Sequence, residues 1–166
     1  LKDLRVPVVR WPGGCYADQY HWRDGVGTKG QRKKTINGSW GGIVEDNSFG
    51  THEFFELVEQ LGADAYVSIN VGTGSPQEMA EWVEYMTSES TSTIADLRRH
   101  NGRQKPWRVH YLGIGNETWG CGGSMTPEYS TDVFKRFATF IKTPENNRPL
   151  VIASGGQGRE TNWTQQ

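Results

Sequence analysis

Charge of one sign, cysteine and long apolar runs are what this 166-residue sequence has least of. Its 18 basic and 19 acidic residues are mixed along the chain, for a formal net charge of −1. Neither sign is concentrated enough to steer a polyanion, so neither nucleic acid nor a membrane surface is expected as a partner. No apolar run approaches the roughly 20 residues that a spanning helix needs. No signal peptide is visible, but Leu1 is not a natural start and any leader would already be missing. The expectation is a processed or excised piece of a longer chain. The only cysteines, Cys15 and Cys121, form neither a disulfide framework nor a metal site by spacing. No His/Asp/Glu spacing supports a metal and no Ser-His-Asp constellation is present. The stretch GTGSPQ (72–77) lacks the lysine of a phosphate loop. No metal and no cofactor are therefore expected.

Aromatic residues, by contrast, are plentiful, with seven tryptophans and six tyrosines. Such side chains stack on the apolar faces of sugars, purines and peptides, or simply fill a core, and composition leaves the two readings even. Short segments rich in β-branched residues stand out at Arg5–Arg10, Ala65–Val71, Val109–Ile114 and Leu150–Ala153. Each runs into a glycine-containing loop: WPGG, GTGS, GNETWGCGG and SGGQG. Helical patterns lie between them. Phe54, Leu57, Val58 and Leu61 repeat at i, i+3, i+4, i+7 and stop at Gly62. Ser75-Pro76-Gln77-Glu78 is a capping box with proline at the first helical position, followed by the stripe Met79, Trp82, Val83 and Met86. Thr126-Pro127-Glu128 opens a third helix with Tyr129, Val133, Phe137, Phe140 and Ile141 inward.

Strand–helix repetition of this kind implies parallel strands with crossover helices, an α/β fold. Glycines, tryptophans and polar groups crowd the C-terminal strand ends, where a barrel or open sheet builds its site. The long connections 11–50 and 115–126 both leave such ends, whereas Lys105-Pro106 and Arg148-Pro149 read as plain turns into strands. Without repeats, low-complexity tracts or linkers, residues 1–166 read as one domain. A closed eight-stranded barrel takes about 250 residues. The chain therefore reads as a partial (β/α)8 domain with the rest of the barrel outside it, and a small four-stranded open sheet is the alternative.

One strand ends oddly. The segment Val109–Ile114 runs into Asn116-Glu117, then Trp119 and a cluster of glycines. A carboxyl group partly buried against aromatics becomes an acid able to protonate a leaving group near neutral pH. Glycoside hydrolysis needs such a group on one side of the bond and a second carboxylate opposite. Asn116 beside it can hydrogen-bond a sugar hydroxyl. Taken alone, Asn-Glu also reads as a loop with a surface glutamate.

The stretch GNE at the end of a fourth barrel strand resembles the acid/base signature of the retaining glycosidase clan with glutamates on strands four and seven. RVPVVRWPGGCYADQYHWRDGVG (5–27), WGGIVEDNSFGTHEFFELVEQLGA (40–63), NVGTGSPQEMAEWVEYM (70–86) and GIGNETWGCGG (113–123) extend the likeness. Together they look like glycoside hydrolase family 51, the α-L-arabinofuranosidases, over most of residues 1–156. The resemblance implies about strands two to five of a (β/α)8 TIM barrel. It implies retaining hydrolysis of terminal arabinofuranosyl groups in arabinan, arabinoxylan or their oligosaccharides, and is compatible with homo-oligomers of the full-length enzyme. By it, Glu117 is the general acid/base and Asn116 contacts the 2-hydroxyl. Arg10 lies at the floor of the sugar site, with a buried ion pair as the competing role. Gly13 and Gly14 bring the backbone close to the sugar or make a tight turn. Cys15 occupies a substrate-contacting position, and Trp40 forms the aromatic wall, with core packing as its alternative. The loops carrying Cys15 and Cys121 share one rim; a disulfide between them is open, with two free thiols the favoured reading.

The departures from the pattern are equally specific. The family's strand-seven nucleophile and its first-strand glutamate have no counterpart. Glu145 lies in the TPENNRP turn on the wrong face, and Glu160 follows the last strand without the motif. Another activity of the same clan, endoglucanase or xylosidase, and a non-catalytic sugar-binding segment are the alternatives. His110 reads as an interstrand hydrogen bond, and His52 as a rim or capping residue. Asn37, Asn116 and Asn162 head glycosylation sequons.

Overall fold

The computed structural model describes residues 1–158 and 161–165. In chain order the regular elements are β1 (Val8–Trp11), β2 (Thr35–Asn37), β3 (Ile43–Glu45), α1 (Thr51–Leu61), β4 (Asp64–Ile69), α2 (Pro76–Thr87), α3 (Thr93–His100), β5 (Tyr111–Ile114), α4 (Pro127–Thr139) and β6 (Leu150–Ala153). Strands β1, β4, β5 and β6 form one sheet in that order, every pair parallel. Strands that follow one another in space as they do in sequence are joined by crossovers of one hand, which leaves the helices on one face. Register shows which residues meet those helices. Val67 pairs with Leu112 and Ile69 with Ile114, and all four are buried. The alternate positions Arg10, Tyr66 and Tyr111 line up on the opposite face, which no helix among the described residues covers.

Local chemistry explains the element ends. Ser75 Oγ accepts the Glu78 N–H at 3.1 Å and Pro76 fills the first turn of α2, the capping read from the sequence. Thr126 and Pro127 open α4 in the same way, and Gly62 closes α1 in the left-handed region at φ 65°. The first strand begins at Val8 rather than Arg5, because Arg5 takes φ 47° and Pro7 has no N–H to pair. Two elements have no strong pattern in the sequence. The hairpin β2–β3 consists of three-residue strands inside the 11–50 connection, and α3 follows a serine-rich stretch. The stripe expected on α4 needs correcting: Phe137 is buried, but Tyr129 and Phe140 are 59% and 50% exposed. Phe140 lies past the last helical turn, and Val133, Phe134, Ala138 and Ile141 are the residues that join Phe137 in the core.

The aromatic question resolves mostly toward core. Trp22, Trp82 and Trp107 are each no more than 3% exposed. Trp107 stacks on Phe55 at 4.8 Å, and Trp11 packs on Phe54 at 5.4 Å. Each such burial contributes about 1.5–3 kcal/mol. Among the described residues, no helix is long and apolar enough to cross a membrane.

Candidate active site

The carboxyl ends of β1, β4 and β5 each feed a loop, and a residue that spacing did not flag joins all three. Asp18, on the short turn Gly14–Asp18 after β1, is 2% exposed. Its Oδ1 accepts the Val71 N–H at 2.8 Å after β4, and its Oδ2 accepts the Asn116 N–H at 2.9 Å after β5. Its own carbonyl accepts the Thr73 N–H at 3.1 Å. Burial pushes the Asp18 carboxyl above its ordinary range, opposed by the Val71, Asn116 and Gly72 N–H groups and by Arg10.

Asn116 is thereby fixed through its main chain, and a second contact fixes its side chain. Arg10 donates from Nη2 to Asn116 Oδ1 and from Nε to Ser68 Oγ at 3.1 Å, with its guanidinium 5.6 Å from the centre of the Tyr66 ring. Arg10 is exposed on the open face, and among the described residues it forms no ion pair. Its hydrogen-bond partners among the described residues are neutral, so the ion-pair role finds no counterpart among them.

Glu117 is the next residue and takes φ 44°, a left-handed conformation that costs a non-glycine residue about 1–3 kcal/mol. Its carbonyl accepts the Gly120 and Gly122 N–H groups at 2.8 and 3.1 Å, which hold the turn. Gly122 cannot be anything larger: a Cβ there would lie 1.9 Å from Asn116 O and 2.7 Å from Asp18 Oδ2. The Glu117 side chain is exposed rather than packed among aromatics, and Trp119 is half-buried beside it. Arg10, Tyr66, Asn116, Glu117, Trp119 and Gln157 line an open cleft of about 520 Å³.

The expectation of free thiols is overturned. Cys15 and Cys121 form a disulfide, their Cα atoms 5.4 Å apart, because Gly14–Asp18 and the loop after Glu117 are brought together by Asp18. Cys121 Sγ lies 3.4 Å from Glu117 Oε2, so the bridge borders the carboxylate. Cys15 thus reaches the predicted neighbourhood, but without a thiol. Trp40 is 59% exposed, so it is not a core residue. It lines a separate cavity of about 340 Å³ with Trp11, Tyr16, Asn37 and Glu45. Its ring would stand 3.5 Å from a Cβ on Gly14, whose φ of 56° also requires glycine. Gly13 has open space around it.

The remaining expectations fall away from the cleft. His110 Nδ1 accepts the Ala65 N–H at 3.1 Å, an interstrand bond as read. His52 sits within 2.7 Å of the Tyr85 hydroxyl and edge-on to Trp107, and burial pushes its pKa down. Glu145 is on the turn that leads into β6, at the amino end of the strands, whereas Glu117 follows the carboxyl end of β5. Glu160 lies outside the described residues. Asn37 and Asn116 are buried, so of the three sequons Asn162 has the exposed acceptor.

A parallel sheet with helices on one face, and a polar cleft where the carboxyl ends of its strands meet, defines an α/β protein of the class that carries its site at the strand ends. A family model described as "Alpha-L-arabinofuranosidase 1 domain" matches residues 1–166, and the chain belongs to that family. It is 58% identical over 164 residues to the intracellular exo-alpha-L-arabinofuranosidase of Bacteroides ovatus, covering 99% of this chain and 32% of that protein. With the probable alpha-L-arabinofuranosidase C of Aspergillus niger it shares 48% identity over 165 residues, 98% of this chain and 32% of the relative. Among solved structures, the GH51 arabinofuranosidase from Xanthomonas axonopodis pv. citri superposes with a TM-score of 0.96 at 53% identity, over 98% of this chain and 33% of that one. The alpha-L-arabinofuranosidase from Thermotoga maritima, solved as an arabinose complex, gives 0.86 at 36% identity with the same coverage of 98% and 33%. The chain spans about a third of the length of the curated relatives it matches.

Proposed function

We propose that residues 1–166 are one partial catalytic domain, about strands two to five of a (β/α)8 barrel, in a retaining α-L-arabinofuranosidase. Sequential parallel order, helices on one face and an open polar face support the barrel reading. The observation that carries the activity is the locked Asn116-Glu117 pair at the carboxyl end of β5, with Arg10 at its side. The substrate class is a terminal α-L-arabinofuranosyl group on arabinan, arabinoxylan or a derived oligosaccharide.

Glu117 donates a proton to the glycosidic oxygen as the bond from that oxygen to the anomeric carbon breaks. A carboxylate from the rest of the protein attacks the same carbon and forms a glycosyl ester. Glu117, now ionised, takes a proton from the water that displaces the ester, releasing arabinose with retained configuration. With Asn116 Oδ1 occupied by Arg10, its Nδ2, which makes one long contact of 3.9 Å to Cys121 Sγ, has a second hydrogen to donate to the 2-hydroxyl. Among the described residues no carboxylate is suited to the nucleophile: Asp18 has both oxygens on backbone amides, and Glu145 lies at the amino end of the strands, away from the cleft.

The test is made on the full-length protein. Glu117→Gln should lower turnover about 10²–10⁴-fold with poor leaving groups and far less with activated aryl α-L-arabinofuranosides. Small, equal losses for both would remove the acid role. Preference for aryl β-glucoside or β-xyloside would instead indicate another activity of the clan, and arabino-oligosaccharide binding without turnover a sugar-binding role.

A further inference from the structure

We propose that Asp18 is a positioning residue that sets the orientation of the acid/base loop by accepting the Asn116 N–H from behind the cleft. The proposal deepens the reading of Glu117 as acid/base and rests on it for its kinetic consequence. A carboxylate that is 2% exposed with no ion pair among the described residues is uncommon. What it has instead is backbone N–H groups from separate loops, at Val71 after β4 and at Asn116 after β5. Hydrogen bonds to an ionised acceptor are shorter and stronger than neutral ones, so this side chain fixes the relative height of three strand ends. Burial acts in the opposite sense on its charge, which makes those donors the reason the group is tolerated there.

The link from Asp18 to Glu117 is short. Only the Asn116 Cα and one planar peptide lie between the Asn116 N–H and the Glu117 Cα, and Glu117 has its φ held at 44° by the turn that follows. Gly122 closes the same loop back onto Asp18, with no room for a Cβ. Arg10 holds the Asn116 side chain but not its main chain, so it cannot replace this contact. Asp18→Asn keeps the shape and loses one acceptor: an amide NH₂ then faces either the Val71 or the Asn116 N–H, donor against donor.

In the full-length enzyme, Asp18→Asn should lower kcat on the order of 10²-fold, with KM little changed, the scale expected of a misplacement near 1 Å. The loss should be larger with poor leaving groups than with activated aryl ones, and Asp18→Asn should add little on a Glu117→Gln background. Hydrogen exchange of the amides in 116–123 should rise while α2 keeps its protection. Wild-type exchange across 116–123 overturns the proposal whatever Glu117 does. Where Glu117→Gln does depend on the leaving group, a loss in Asp18→Asn that is the same for every leaving group also overturns it, because that is what a merely structural role gives. If exchange rises in Asp18→Asn but Glu117→Gln shows no leaving-group dependence, positioning stands and the acid/base reading is the one that fails. Should Asp18→Asn not accumulate as folded protein, Asp18→Glu, which keeps both acceptors but displaces them by a methylene, carries the same exchange test.

Discussion

Asn116 is held at two points, and separating them is the most direct question at the residue scale. Asp18 takes its main-chain N–H, while Arg10 takes its side-chain oxygen and so decides which end of the amide is offered to a sugar. Arg10→Lys keeps the charge but loses the two-nitrogen fork that spans Asn116 and Ser68. A charged hydrogen bond of this kind contributes about 1.5–3 kcal/mol. In the full-length enzyme, kcat/KM for an aryl α-L-arabinofuranoside should therefore fall roughly 10–100-fold in Arg10→Lys. Wild-type kcat/KM in Arg10→Lys would mean that charge alone is needed. The family motifs single out Glu117, Asn116, Arg10 and Cys15 in the sequence, and the structure gathers them around the carboxyl ends of β1 and β5. Asp18 was not legible there, since an aspartate in a glycine-rich loop reads as solvated, and its importance comes from three loops converging on it. The Cys15–Cys121 bridge was hidden for the same reason: 106 residues separate its ends, and only the convergence brings them together.

Among the elements, α1 and α2 were readable because their caps and apolar stripes agree. The hairpin β2–β3 and helix α3 were not, because strands of three residues show no alternation and the eight residues of α3 bury an arginine, Arg98, beside Ile94, Ala95 and Leu97. Beyond its own ladder and the Asn37–Glu45 bond, the hairpin is tied to α1 by an ion pair. Arg32, just before β2, donates from Nη1 and Nη2 to the two oxygens of Glu53 at 3.0 and 3.1 Å, and from Nη1 to the Asn47 carbonyl at 2.8 Å. Glu53 also accepts the Gly50 N–H at 2.9 Å and so caps α1. Burial opposes the charge on Glu53, yet Arg32 and the Gly50 N–H outweigh it and hold the carboxyl at about 2, against 4.5 for the free group. A depressed pKa stabilises the folded state above the unfolded value and is lost as pH falls toward the folded one. The clamp should thus be complete above about 4.5 and released progressively toward 2. Hydrogen exchange in 35–48, corrected for intrinsic rates, should rise across that window in the full-length protein. In Glu53→Gln the same rise should be present already at neutral pH, and an unchanged profile there would mean that the hairpin is held by other contacts.

For the whole molecule, the sheet is better finished on one face than on the other. Helices bury Val67, Ile69, Leu112 and Ile114, while Arg10, Tyr66 and Tyr111 line the uncovered side. Among the described residues β1 and β6 each present an unpaired edge, and on β6 Leu150 and Val151 are 67% and 40% exposed. Apolar residues on an open parallel edge template pairing with another chain. In a closed barrel those edges and that face are occupied by the remaining strands, so the two readings of the fold part company in solution. If residues 1–166 are part of a barrel, this segment produced alone should self-associate at micromolar concentration, as measured by light scattering on a sizing column, and Leu150→Lys should reduce the association. The full-length protein should be indifferent to oligomerisation through this edge, because its own strands would already cover it. A segment that stays monomeric would instead fit a self-sufficient four-stranded sheet. The barrel proposal would then lose its physical motive, and a nucleophile from later strands would lose its place opposite Glu117.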